Sequence, residues 1–110
     1  YFNIDGNVVR NNGAEGIDLG AGSGYASIAN NVLLGNTSVA ISGAFFFTSV
    51  SGNHIDTSNQ AIGRTTGGGF ENVVANNIIY LRSGAGYAVR LTGDNLTITG
   101  NYIEKEGSAW

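Results

Sequence analysis

Cysteine and proline are both absent from the 110 residues, and positive charge is scarce. Without cysteine there is neither a disulfide framework nor a thiolate metal site, so packing and hydrogen bonding must hold the fold. Five Lys+Arg against eight Asp+Glu give a net charge of -3. Nucleic acid is therefore not an expected partner, because releasing counterions from a phosphate backbone needs a basic stripe. His54 is the one histidine, which rules out a His-based metal set; no metal and no cofactor is expected. No run approaches the roughly 18 apolar residues of a membrane span. The opening YFNIDGNVVR lacks the basic and apolar regions of an export signal. A membrane is not an expected partner either.

What is present is 18 glycines with many Asn and Ser. Alone these would read as disorder, but Ile, Val, Leu and aromatic residues recur between them at short intervals. That mixture describes many short strands joined by tight turns, in one domain spanning residues 1–110.

The chain repeats. Five segments share the pattern apolar, any, Gly or Asn, then Asn: Ile4-Asp5-Gly6-Asn7, Ile28-Ala29-Asn30-Asn31, Val50-Ser51-Gly52-Asn53, Val74-Ala75-Asn76-Asn77 and Ile98-Thr99-Gly100-Asn101. The last Asn recurs at intervals of 24, 22, 24 and 24 residues. Gly and Asn enter the left-handed backbone region at least cost, so a tight bend is expected at Gly6, Asn30, Gly52, Asn76 and Gly100. The following Asn7, Asn31, Asn53, Asn77 and Asn101 then stack as a ladder inside the turn, each amide donating to the next. Val9, Leu33, Ile55, Ile79 and Ile103, two residues on, face inward by alternation, as do the apolar residues before the bend. A further strand per coil carries Ile17, Ile41, Ile62 and Val89 as core residues. Counting back from the ladder places Phe46 and Phe70 as stacked core aromatics, with Phe45 and Phe47 outward.

With this repeat the chain resembles the single-stranded right-handed parallel β-helix superfamily, which includes pectate lyases, polysaccharide epimerases and phage tailspikes. The likeness covers essentially the whole chain. It implies an all-β right-handed parallel β-helix, a solenoid of about five coils of 22–24 residues with an internal Asn ladder. It also implies a carbohydrate-related role outside the cell or on a virion. Five coils at about 4.8 Å each stand roughly 24 Å tall with an unpaired edge at either end. We expect a fragment of a longer protein, or a homo-oligomer, whose ends are capped by flanking domains or neighbours. No complete active site is expected within these residues.

Residues at equal offset from the ladder Asn lie on one line along a solenoid. One after it stand Val8, Val32, His54, Ile78 and Tyr102; three after it stand Arg10, Leu34, Asp56, Tyr80 and Glu104. Such contiguous apolar surface on an outward face marks an interface or a ligand groove. Three readings stay open. His54, Tyr80 and Tyr102 are candidate platforms for sugar rings of a polysaccharide. Asp56 and Glu104, two coils or roughly 10 Å apart, are a candidate catalytic carboxylate pair for a hydrolase. The same columns also fit a packing face between copies of a structural or adhesive solenoid.

A second line holds Asp18, Ser42, Arg64 and Arg90. By resemblance to polysaccharide lyases, Arg64 or Arg90 would neutralise a uronate carboxylate and Asp18 would hold a cation; otherwise they form a cross-coil ion pair. The glycines of GAGSG lack phosphate-loop spacing and precede no helix. Asn36-Thr37-Ser38 and Asn95-Leu96-Thr97 match the glycosylation sequon, a triplet that an Asn-rich repeat produces by chance.

Overall fold

The computed structural model describes residues 1–21, 24–63 and 69–107, and these build only strands and turns, with no helix. Each turn of chain gives one strand to each of three parallel sheets. Sheet 1 holds Phe2–Asp5, Ala26–Ala29, Ser49–Ser51, Val73–Ala75 and Thr97–Thr99. Sheet 2 holds Val8–Arg10, Val32–Leu34, His54–Thr57, Ile78–Leu81 and Tyr102–Lys105. Sheet 3 holds Ile17–Asp18, Ile41–Ser42, Ile62–Gly63 and Val89–Arg90, and Gly69–Phe70 pairs with Gly93–Asp94 at the corner before sheet 1. The result is a parallel β-solenoid of about four turns, with five rungs in sheets 1 and 2 and four in sheet 3, because the last coil gives sheet 3 no strand among the described residues.

The interior is a stack of aliphatic rows. Ile28, Val50 and Val74 form one, Leu33, Ile55 and Ile79 the next, and Ile41 and Ile62 a third, each at most 2% exposed. Burying such a side chain contributes roughly 1.5–3 kcal/mol. Ile98 and Val89 belong to the same rows but are only partly covered, Ile98 being 53% exposed, because their strands form the sheet edge among the described residues.

The bend between sheets 1 and 2 has the left-handed backbone that the repeat requires: φ is 70° at Gly6, 55° at Asn30, 65° at Gly52, 56° at Asn76 and 65° at Gly100. The Asn ladder follows it. Nδ2 of Asn7 donates to Oδ1 of Asn31 at 3.1 Å, Asn31 to Asn53 at 3.0 Å, Asn53 to Asn77 at 3.0 Å and Asn77 to Asn101 at 2.9 Å. The same carboxamide oxygens accept the backbone N–H of the preceding rung. Each Nδ2 from Asn31 onward also donates backwards, to the carbonyls of Ile4, Ile28, Val50 and Val74. The buried carboxamides of Asn31, Asn53 and Asn77 are thus paired at both oxygen and nitrogen inside the turn.

The alternation of Gly and Asn along the left-handed column has a steric cause. A Cβ added at Gly52 would meet Oδ1 of Asn30 at 2.7 Å, whereas one added at Gly6 would meet nothing within 4 Å. The Asn30 side chain leans over the next rung and is held there, donating to Asp5 Oδ1 at 3.0 Å. Gly52→Asn, which suits the backbone but not the space, is therefore expected to lower stability by about 2 kcal/mol, through overpacking. Gly6→Asn should change it by a few tenths, roughly the cost of swapping two residues tolerant of positive φ. Urea midpoints of the two variants check the contrast.

The phenylalanine run differs from the expectation. Phe45 is in the core, 1% exposed, while Phe46 is half-buried and Phe70 exposed. Phe46 and Phe70 do pair on adjacent rungs, with centroids 6.2 Å apart, but on the outside. The reason is a second left-handed column at Tyr25 (55°), Phe47 (48°), Glu71 (51°) and Asn95 (56°). A period-2 count holds only along continuous pleated backbone, and the left-handed residue at 47 reverses its phase. Holding a bulky L-residue there costs on the order of 1–3 kcal/mol. Asn72, 3% exposed, ties this corner: its Oδ1 accepts from the N–H of Thr48 and its Nδ2 donates to the carbonyl of Phe45, each at 3.0 Å.

Candidate functional site

Sheet 2 presents its outer face in the expected register. Val8, Val32, His54, Ile78 and Tyr102 are successive partners, and so are Arg10, Leu34, Asp56, Tyr80 and Glu104. The lower rungs carry Val8, Val32 and Leu34 with Arg10, and Val8 is 67% exposed. The upper three carry the chemistry.

His54, Tyr80 and Tyr102 form a zigzag of rings across three consecutive rungs. The His54 and Tyr80 centroids lie 5.5 Å apart at 48°, and those of Tyr80 and Tyr102 6.1 Å apart, edge to face. These separations fall within the range of favourable aromatic pairs. They leave Tyr102 54% exposed and Tyr80 half-buried.

Asp56 and Glu104 flank Tyr80 on the rungs either side of it. Each is engaged. Asp56 is gripped in fork geometry by Arg82, whose Nε donates to Oδ1 at 2.7 Å and whose Nη2 donates to Oδ2. Glu104 Oε2 accepts from the Tyr102 hydroxyl at 2.9 Å. Arg82 also has Glu106 Oε2 at 4.0 Å from Nη1. Beside these residues lies a cleft of about 220 Å³ lined by Tyr80, Leu81, Arg82, Glu104 and Glu106. Arg82 stands in the loop after its sheet 2 strand, and only its diagonal reach across the rungs joins it to Asp56. Two charges of opposite sign at that diagonal offset were the signal for it.

The hydrogen bond and charge of Asp56 hold the Arg82 guanidinium protonated beyond its ordinary range. The hydrogen bond to Glu104, and then its charge, push the Tyr102 phenol up from its usual value. Tyr102 therefore stays a hydrogen-bond donor through neutral and mildly alkaline pH. Glu104→Gln is expected to bring the Tyr102 ionisation back down toward the ordinary value of about 10. An ultraviolet tyrosinate titration reads this as a phenol that ionises at lower pH than in the parent protein.

Of the second candidate line, Asp18 and Ser42 are register partners, while Gly63 is the partner of Arg90. Asp18, on the first rung of sheet 3, accepts at Oδ1 from the Gly20 N–H at 2.9 Å and from Ser42 Oγ on the next rung at 3.2 Å. Arg90 is on the last rung of that sheet, its guanidinium 5.1 Å from the Tyr87 ring centroid. Arg64 lies outside the described residues. Of the two sequons, Asn36 is 1% exposed and serves as an internal rung, its Oδ1 accepting from the N–H and Nδ2 of Asn12, so glycosylation there is incompatible with the fold. Asn95 is exposed. Among the described residues no group of three or more His, Asp or Glu side chains is arranged to hold a metal ion.

No family model, curated protein or solved structure matches the chain. The fold and the face define a class: a parallel β-solenoid with an Asn-laddered core and one outer sheet that carries aromatic rings among carboxylates.

Proposed function

We propose that the chain is a glycan-binding segment of a right-handed parallel β-helix protein that works outside the cell or on a virion, and that the sugar lies along sheet 2. The observation that carries this reading is the zigzag of His54, Tyr80 and Tyr102, three rings on consecutive rungs with Asp56, Arg82 and Glu104 between and beside them. Aromatic faces take the C–H faces of pyranose rings, and flanking carboxylates and guanidinium take the hydroxyls. The parallel sheet supplies rigidity, so no loop must be ordered on binding.

Three carboxylates against one arginine make this end of the face acidic, which favours an uncharged polysaccharide over a uronate. Asp56, bound by the Arg82 fork, and Glu104, bound by Tyr102, are placed to accept sugar hydroxyls. Hydrolysis by this pair would require both to be released from those partners. Tyr80→Ala and Tyr102→Ala are each expected to weaken binding on a glycan array by about tenfold or more. Retention of affinity in both variants would remove the glycan from this face.

The lower rungs favour a second reading. Val8, Val32 and Leu34 make an apolar patch beside Arg10 and leave Val8 largely exposed, which suits packing against another copy. Concentration-dependent sedimentation abolished by Val8→Glu would support that role over the first.

A further inference from the structure

Tyr25 and Phe47 occupy the left-handed column at the corner preceding sheet 1, where Asn95 shows what the backbone itself prefers. Bulky residues kept where glycine or asparagine would sit without strain point to a use for the side chains. Their contact with each other is only part of that use. The rings stack at 4.8 Å and within 5° of parallel, yet Tyr25 remains 59% and Phe47 41% exposed. A stacked pair occupies one face of each ring. Glu71 stands next along the column, and the Phe47 N–H donates to the carbonyl of Phe70 at 2.8 Å. Beside it Phe70, whose ring pairs with Phe46, is still 48% exposed, and Phe70 is the sheet partner of Asp94. Glu71 and Asp94 are both exposed, and neither has an ion pair among the described residues.

We propose that Phe47, Phe70, Glu71 and Asp94 form a second saccharide site that takes a positively charged sugar, a unit of an amino-sugar chain. Pyranose C–H groups stack on the exposed parts of the two rings, an ammonium is attracted both by aromatic faces and by carboxylates, and a uronate is repelled. Sheet 1 separates this corner from the His54, Tyr80 and Tyr102 face, so the two sites stand or fall separately.

Calorimetric titration of the 110-residue protein with glucosamine hexamer tests it at about pH 5.5, below the ordinary range of an amine. The N-acetylated hexamer serves as the uncharged comparison. The glucosamine hexamer should bind, and the N-acetylated one about tenfold or more weaker. Phe47→Asn, which suits the left-handed backbone, and Glu71→Gln should each reduce affinity for the glucosamine hexamer by about tenfold or more. The thermal midpoint of Phe47→Asn should stay level or rise, because strain is relieved. Tyr80→Ala should leave this affinity intact. The proposal is overturned if the glucosamine hexamer does not bind or if both hexamers bind equally. It also fails if Phe47→Asn lowers the thermal midpoint at unchanged affinity, which would make the stacked pair a purely structural contact. Loss of binding in Tyr80→Ala but not in Phe47→Asn would overturn this site and leave the sheet 2 reading standing.

Discussion

Asn53→Ala is expected to destabilise the protein by about 3–5 kcal/mol, a large part of the 5–15 kcal/mol typical of a domain. Asn53 is the middle rung of the ladder and 1% exposed. Its Oδ1 accepts from both N and Nδ2 of Asn31 at 3.0 Å, and its Nδ2 donates to Asn77 Oδ1 and to the Ile28 carbonyl, each at 3.0 Å. Truncation removes partners from all of these groups at once. Each buried polar group left unpaired costs about 1–3 kcal/mol. The urea midpoint reads the loss. Asn7→Ala, at the exposed first rung, should cost no more than about 1 kcal/mol, since water can replace what is lost. Equal effects at the two rungs would mean that the ladder follows the fold rather than supporting it.

Asn53→Asp separates shape from hydrogen bonding. It keeps an acceptor for Asn31 but turns two donated bonds into oxygen facing oxygen, in a site that disfavours the charged carboxyl. Burial raises the folded-state ionisation of such a group above its unfolded value. The variant should then be least stable at neutral pH and regain stability as pH falls through the raised value.

Phe45→Ala is expected to cost about 3–5 kcal/mol by removing a fully buried ring and leaving a cavity. Phe47→Gly, two residues away, should be close to neutral or stabilising, because the glycine holds φ near the observed 48° without strain. Thermal unfolding of the two variants gives opposite answers if the phase of this segment is as described. Similar losses in both would mean that the stacked Tyr25 and Phe47 rings contribute as much as the core.

The repeat and its register were legible in the amino-acid order because their causes are local. Gly6, Asn30, Gly52, Asn76 and Gly100 are residues that tolerate positive φ, and the Asn beside each one has the donors and acceptor a buried turn requires. Columns at fixed offsets followed, and with them the neighbours His54, Ile78 and Tyr102, and Asp56, Tyr80 and Glu104. The second left-handed column was not legible, because Tyr25, Phe47 and Glu71 are residues that ordinarily avoid that conformation. Once the phase slips there, alternation counted from the ladder puts Phe45 outside and Phe46 inside.

The grip of Arg82 on Asp56 belongs to the tertiary structure as well. Its two residues are 26 positions apart, and they meet only because winding sets their rungs close enough for a diagonal reach. The order of amino acids thus determined the winding, the Asn ladder and which residues share a column. Only the folded solenoid decided which way Phe45, Phe46 and Phe47 face, which carboxylates find partners, and that the Asn30 side chain fills the space over Gly52. Preferences of single residues are carried by the chain itself, whereas the phase of a corner and a contact between rungs exist only once neighbouring coils are in place.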